Sequence, residues 1–403
     1  MKEQITIHEW LDDDSLVFSE TDPCNEQEED VAQEGIDSIN QMAISGTDWT
    51  TETIVRQIEK GNITLDPDFQ RREAWTLTKK SRFIESLFLG FPIPQIVLAE
   101  SREKKGRFLV IDGKQRLLSL QQFMREDSSK PRTLRLSGLE VKKELNGKTY
   151  SQMIEEGLDT DIDALSNQPI RTIVVKNWPS VEVLYLIFLR LNTGSVKLSP
   201  QELRQALYPG KFIKYANKAA SESDGIRRIL RLKEGTLDFR MRDVELLIRY
   251  MAFQYYINQY HGSMQAFLDK ACEQLNKSWD SLKDSIEEKT HAFEEAIECV
   301  YQIFGEYAFC KFKDNKYEPR INRAIMDIML YYFSQSDIRD AALANANCVQ
   351  QEFRNLCTND IRFLDSVEQT TKSMSAVRYR FTKWAEILPQ CLNVEVLSPF
   401  EKA

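Results

Sequence analysis

Apolar and polar positions alternate in two different rhythms along this chain. Between residues 51 and 63, Ile54, Val55 and Ile58 fall on one face of a helix, and Gly61 supplies its stop. TLDPDFQRREAW (64–75) has no such period, and Pro67 steers it to an extended or turn path. A Thr cap then opens a second helical pattern, which ends at Gly90 and Pro92. QIVLAE (95–100) and RFLVID (107–112) read as strands joined by the charged turn SREKKG, hence a hairpin. Leu117, Leu118, Leu120 and Phe123 restore helical spacing directly afterwards. Signals over 126–168 are weak. PIRTIVVKNW (169–178) alternates and is β-branched, which predicts a strand. VEVLYLIFLRLN (181–192) reads as a buried helix, although periodicity alone also admits a strand. Ser199, Pro200 and Glu202 then form the cap, first position and third position of a capping box, and Pro209-Gly210 ends that helix.

Beyond about residue 212 strand signals vanish. Amphipathic helices are expected at 241–260, 264–285, 289–307, 320–334, 337–356 and 369–386. The pattern therefore predicts an acidic leader (1–45), an α/β domain (46–215) and an α-helical domain (216–403).

Composition narrows the function classes. The chain has 403 residues, 42% of them hydrophobic, enough for two cores. Its apolar runs are too short to span a bilayer and its N-terminus is acidic with no apolar signal region, so a cytoplasmic protein without membrane contact is expected. Seven scattered cysteines without a CxxC, and three histidines, argue against a disulfide framework and a Cys/His zinc site. They leave inert thiols as the expectation. The same poverty in histidine disfavours an HNH nuclease centre or a Ser-His-Asp triad, and no G-x-x-x-x-G-K-[ST] occurs. Residues 1–50 hold fourteen Asp or Glu against one Lys, so with a net charge of −9 overall the rest of the chain balances at +4. The leader reads as a solvated tail, or, more sharply, as a cover that competes with nucleic acid or nucleotide for a basic site.

The chemistry concentrates in FLVIDGKQRLLSL (108–120), where a strand runs through Asp112-Gly113 into a helix. Backbone N–H groups at such a helix start favour an anion by about 0.3–1 kcal/mol. Gly113 permits close backbone approach, and Lys114 and Arg116 add charge and a bidentate fork. Asp112 is suited to hold a divalent cation or place a water, and Gln115 to donate to a phosphate oxygen or a base. The competing reading is a surface turn whose Arg pairs with a nearby acid. Gln70, Arg71 and Arg72 stand between Phe69 and Trp75, a cluster that suits a nucleotide or a nucleic-acid strand. Asn192, Thr193 and Gly194 precede Glu202 and Arg204, and the capping box by itself accounts for Glu202.

In this order, the three segments resemble the ParB/sulfiredoxin-like domains found at the N-terminus of GmrSD-type modification-dependent restriction proteins. Gln70, Arg71 and Trp75 match a Pro-x-x-Gln-Arg-x-x-x-Trp box. Asp112, Gly113, Gln115 and Arg116 match an Asp-Gly-Gln-Gln-Arg box, with Lys114 where the family usually has Gln. Arg190, Asn192, Gly194, Leu198, Ser199 and Glu202 match an Arg-x-Asn-x-Gly box followed by Leu-Ser-x-x-Glu. The resemblance covers roughly 45–215. It implies a ParB-like α/β fold, a nucleoside triphosphate cofactor with Mg²⁺, and NTP hydrolysis coupled to DNA restriction, anti-phage defence or DNA modification. Asp112, Gln115 and Arg116 are then the catalytic candidates, and Gln70, Arg71, Gly113, Lys114, Asn192 and Arg204 the nucleotide-binding ones, with Asp112 also the metal ligand. DNA, operon-encoded defence proteins and an oligomer are the partners that this implies. Relatives often carry an HNH nuclease half. The helical region here has no such motif and is similar instead to stand-alone members, through INRAIMDIML (321–330) and SMSAVRYRF (373–381). A non-catalytic DNA-binding or regulatory module is the alternative, and a direct nuclease ranks last.

Overall fold

A computed structural model describes residues 42–65, 75–124, 133–181, 183–185, 187, 199–234, 236–238, 240–369 and 371–400. The described residues divide into two compact units, one comprising those from 42 to 207 together with 240–241, the other those from 208 to 238 and from 242 to 400.

The first unit is α/β. Its described elements are β1 (Ala43–Thr50), α1 (Thr51–Glu59), α2 (Leu77–Phe88), β2 (Ile96–Glu100), β3 (Phe108–Asp112), α3 (Lys114–Phe123), α4 (Tyr150–Glu155), α5 (Asp159–Asn167), β4 (Pro169–Lys176) and α6 (Pro200–Leu207). The described residues among 181–187 are helical, as the sequence favours. Helix starts follow their caps: the Thr50 and Thr76 hydroxyls accept from the backbone N–H of Thr53 and Lys79, each at 3.2 Å. The strands form one sheet in the order β1-β4-β2-β3, in which β2 pairs antiparallel with β3 and parallel with β4.

β2 is apolar and buried from Ile96 to Ala99 because both faces of the sheet are covered there. Ile96 and Leu98 pack with Ile54, Ile58, Ile84, Leu87, Leu118 and Phe123 on one side. Val97 and Ala99 pack with Ile111, Val175, Trp178, Leu184 and Leu203 on the other. This sandwiching fixes where β3 ends and α3 begins, and it brings α6 onto the sheet face that holds Ile111. β1 was not expected. Its sequence, AISGTDWT, is polar, Gly-containing and largely exposed, and its order comes from pairing along its whole length with β4. The weak 126–168 segment holds α4 and α5, and α4 opens with a Thr149/Gln152 capping box.

The second unit is mostly helical: α7 (Lys211–Glu222), α8 (Asp224–Ile229), α9 (Arg242–Tyr256), α10 (Met264–Lys277), α11 (Trp279–Phe304), α12 (Arg323–Phe333), α13 (Ser336–Ala344), α14 (Ala346–Asn359), α15 (Ile361–Glu368) and α16 (Met374–Cys391). The helix boundary expected between 285 and 289 lies instead at Ser278, and α11 runs unbroken across 285–289. Strands are present as well, which corrects the expectation of none. β5 (Cys310–Lys313) and β6 (Lys316–Ile321) form a hairpin around Asp314 and Asn315, both at positive φ (50° and 59°), the geometry of a two-residue primed turn. The stretches INRAIMDIML and SMSAVRYRF meet in the core. Asp327 accepts two hydrogen bonds from Arg249, at 2.6 and 2.8 Å, and lies 3.5 Å from the Arg380 guanidinium.

Cys348 and Cys391 are disulfide-bonded, contrary to the expectation from cysteine count and spacing; the tertiary fold brings the start of α14 against the end of α16. The other described cysteines, Cys272, Cys299, Cys310 and Cys357, lie outside the disulfide and are buried. Burial pushes the Cys299 and Cys357 thiols up to about 12 and Cys310 up to about 11, which makes them poor nucleophiles. Cys348→Ser is expected to lower the stability of the full chain by roughly 2–4 kcal/mol. Denaturant titration with and without a thiol reductant checks this, since reductant should shift the parent protein and leave the variant unmoved.

Candidate functional site

The candidate site lies where β3 runs into α3. β3 ends at Asp112, and Gly113 makes the turn at φ 96°, ψ 12°, a left-handed conformation that side chains disfavour. Space is restricted as well: a Cβ at 113 would lie 3.0 Å from Ile96 Cγ1 and 3.2 Å from Arg116 Nη2. Gly113 is the N-cap of α3 and makes no side-chain cap hydrogen bond, and the positive end of the helix faces the turn.

The charged residues around the turn face one another. Arg116 donates through Nη2 to Asp112 Oδ2 at 2.8 Å and to the Gln95 carbonyl at 3.0 Å. Its side chain is 8% exposed, that of Asp112 31%. Lys114 points inward and forms a buried ion pair with Glu202 on α6. The other oxygen of Glu202 accepts from the Ser199 backbone N–H at 2.7 Å, and Ser199 Oγ accepts from the Glu202 N–H at 3.2 Å. The expected capping box is present, and its carboxylate does a second job that the box alone does not reveal. Gln115 Oε1 accepts from the Trp75 N–H at 3.4 Å. Arg204, 1% exposed, donates to Gln201 Oε1 at 2.6 Å.

Parts of all three sequence boxes therefore meet at or beside one turn: Trp75 from the first, Asp112 to Arg116 from the second, and Ser199 and Glu202 from the third. Gln70, Arg71, Asn192, Arg190 and Gly194 lie outside the described residues. Two buried donors here lack a hydrogen-bond acceptor among the described residues, Arg116 Nε and Gln201 Nε2. Buried donors of this kind cost about 1–3 kcal/mol each unless water or a ligand satisfies them. Gln201 and the Lys114–Glu202 pair escaped the sequence reading, since no local pattern says which residue 88 positions away will face Lys114. Among the described residues no group of three or more His, Cys, Asp or Glu side chains gathers to hold a metal. Asp112 is a partly exposed carboxylate.

Two expectations test this geometry. Lys114→Met leaves Glu202 buried without its cation and should destabilise the protein by about 3–5 kcal/mol, with part recovered in the double variant Lys114→Met/Glu202→Gln. Thermal and denaturant unfolding of both variants reads the difference. Gly113→Ala should cost more than about 1 kcal/mol from the positive φ and the Ile96 contact together, and a neutral result would show that the turn can relax.

A comparison with protein-family models matches residues 51–209 to the family described as GmrSD restriction endonuclease, N-terminal domain. No curated protein and no solved structure matches the chain. The matched segment begins at the first residue of α1 and ends just beyond α6, so it spans the sheet strands β2, β3 and β4 and every part of the turn. Residues 51–209 are therefore a GmrSD-type N-terminal domain.

Proposed function

We propose that this chain is a component of a DNA-restriction or defence system and that its α/β unit binds a nucleoside triphosphate at the β3–α3 turn. The observation that carries the reading is the convergence of three sequence boxes, far apart in the chain, on one helix start whose N-cap is a glycine. A turn that served only to reverse the chain would need Gly113 and little else. The orphaned Arg116 Nε adds a donor that a phosphate oxygen can satisfy. The family description supports the restriction context.

In this reading the α3 amides and Arg116 hold phosphate oxygens, and Gly113 lets the backbone approach them. Lys114 is committed to Glu202, so its role is to fix the helix start rather than to reach the ligand. Asp112, held by Arg116, is placed to orient a water toward the terminal phosphorus or to accept a divalent ion carried by the triphosphate. Hydrolysis would break the bond between the terminal phosphorus and its bridging oxygen as the water oxygen bonds to phosphorus, and would yield a diphosphate and inorganic phosphate. Among the described residues no helix is long and apolar enough to cross a membrane, and a cytoplasmic location suits a DNA-directed role.

The test is binding of, and phosphate release from, ATP, GTP, CTP and UTP by the full chain, with and without Mg²⁺. At least one nucleotide is expected to bind. Arg116→Ala is expected to lower phosphate release by about 10²- to 10³-fold, and Asp112→Asn to lower release more than binding. Binding without release would reduce the reading to a nucleotide-gated regulator. If no nucleotide binds, the proposal fails and the ion pairs around the turn serve folding alone.

A further inference from the structure

The β2–β3 hairpin has chemically different ends. One is the turn described above. The other is the connection Ser101-Arg102-Glu103-Lys104-Lys105-Gly106-Arg107, whose residues from Arg102 onward are exposed. Five-residue β3 separates the two ends by about 13 Å, at roughly 3.3 Å per residue.

The sheet gathers further cations at this second end. Ala99 lies opposite Val175 in the parallel β2–β4 ladder, so Lys176, the last residue of β4, ends beside Glu100 at the root of the connection. Phe108 N donates to the Asn62 carbonyl at 2.7 Å and Arg107 donates to that of Gly61, which brings the exposed Lys60 alongside. Lys60, Arg102, Lys104, Lys105, Arg107 and Lys176 thus share one end of the sheet with three carboxylates, Glu59, Glu100 and Glu103. Glu100 is partly engaged, accepting from the Gly106 N–H at 3.0 Å.

The connection is anchored at its root. Arg102 donates to the Pro179 carbonyl at 3.1 Å and its guanidinium lies 5.2 Å from the Trp178 ring centroid, while Trp178 Nε1 donates to the Glu100 carbonyl at 2.8 Å. The Lys104 and Lys105 side chains make no hydrogen bond or ion pair with any described residue, and the Lys104 backbone N–H donates to Ser101 Oγ at 3.4 Å. Their charges point into solvent on a fixed base.

The residue types restrict the partner. Residues 101–107 contain no apolar side chain, so they lack the anchor that a membrane-surface segment inserts and the apolar centre that a protein interface buries. They contain no Asn or Gln to read adenine edges, and the two arginines that could read guanine are engaged by the protein itself, Arg102 on the Pro179 carbonyl and the Trp178 ring and Arg107 on the Gly61 carbonyl. What remains is a compact set of point charges at the tip of a two-stranded ribbon, matched to regularly spaced phosphates. We propose that this cationic end of the hairpin is a second binding surface, which holds the phosphodiester backbone of duplex nucleic acid without sequence preference. It is separate from the β3–α3 turn and does not depend on nucleotide binding there.

The test uses the full chain and a fluorescent random-sequence DNA duplex of roughly two helical turns, titrated across about 50–200 mM salt. The double variant Lys104→Gln/Lys105→Gln, confined to exposed side chains, should bind every duplex sequence more weakly. Its log affinity should fall less steeply with log salt, the slope losing about 2, or roughly 0.9 per phosphate contact. Its nucleotide binding, measured in the same preparation, should match the parent. The proposal is overturned if the parent fails to bind duplex at the lowest salt, or if the variant keeps the parent's affinity and slope. It is also overturned if vesicles containing phosphatidylserine bind the parent more tightly than duplex does and the variant loses that binding instead. The duplex readout requires no nucleotide, so a failure of the nucleotide reading leaves this result interpretable.

Discussion

The buried pair between Lys114 and Glu202 is the constraint on which the α/β unit's candidate site depends. Both side chains are almost wholly removed from water, and a buried charge is tolerated only with a partner and further hydrogen bonds. Glu202 meets that condition by serving two elements at once, with one oxygen on Lys114 and the other on the Ser199 amide that starts α6. Either residue alone would be a severe liability. Together they lock the first residue of α3 to the first turn of α6, across a large gap in the sequence.

That lock changes what the charged turn means. A cation-rich stretch at a helix start reads, in isolation, as a set of outward-facing phosphate ligands. Here one cation is sealed inside and a second, Arg116, is held through Nη2 by Asp112 and the Gln95 carbonyl, with its Nε–H buried and lacking an acceptor among the described residues. The ligand-facing chemistry is therefore narrower and more precisely placed: the helix amides, part of one guanidinium and one half-exposed carboxylate. The same hairpin leaves its other end open, where Lys104 and Lys105 face water. Opposite ends of a two-stranded element thus carry committed and uncommitted charge. The helical unit uses the committed kind, with Asp327 shared between Arg249 and Arg380 in its core.

Much of the local structure was legible because local causes produce it. Thr50 and Thr76 cap helices where the apolar spacing begins, Gly61 and Gly90 stop them at positive φ, and the apolar run of β2 reports a strand covered on both faces. The Ser199–Glu202 capping box stands as its spacing implies. Other elements were illegible for an equally physical reason. β1 carries Gly, Ser and Asp in a mostly exposed edge strand and is ordered by its ladder with β4. The β5–β6 hairpin is short, and its only strong local cue is the Asp314-Asn315 turn. The Cys348–Cys391 bridge joins residues that no spacing rule pairs.

The sequence by itself determined the division into an α/β and a helical part, the helix and strand periods, the caps and the Asp-Gly-Lys-Gln-Arg turn, because each follows from the preferences of neighbouring residues. Tertiary structure alone decided that Lys114 belongs to Glu202, that Gln115 meets Trp75, and that Lys60 and Lys176 join the cations of the hairpin tip. Those pairings depend on which elements the sheet and its two apolar faces bring together, and burial then selects the charges that must be neutralised inside and the charges that can remain in water.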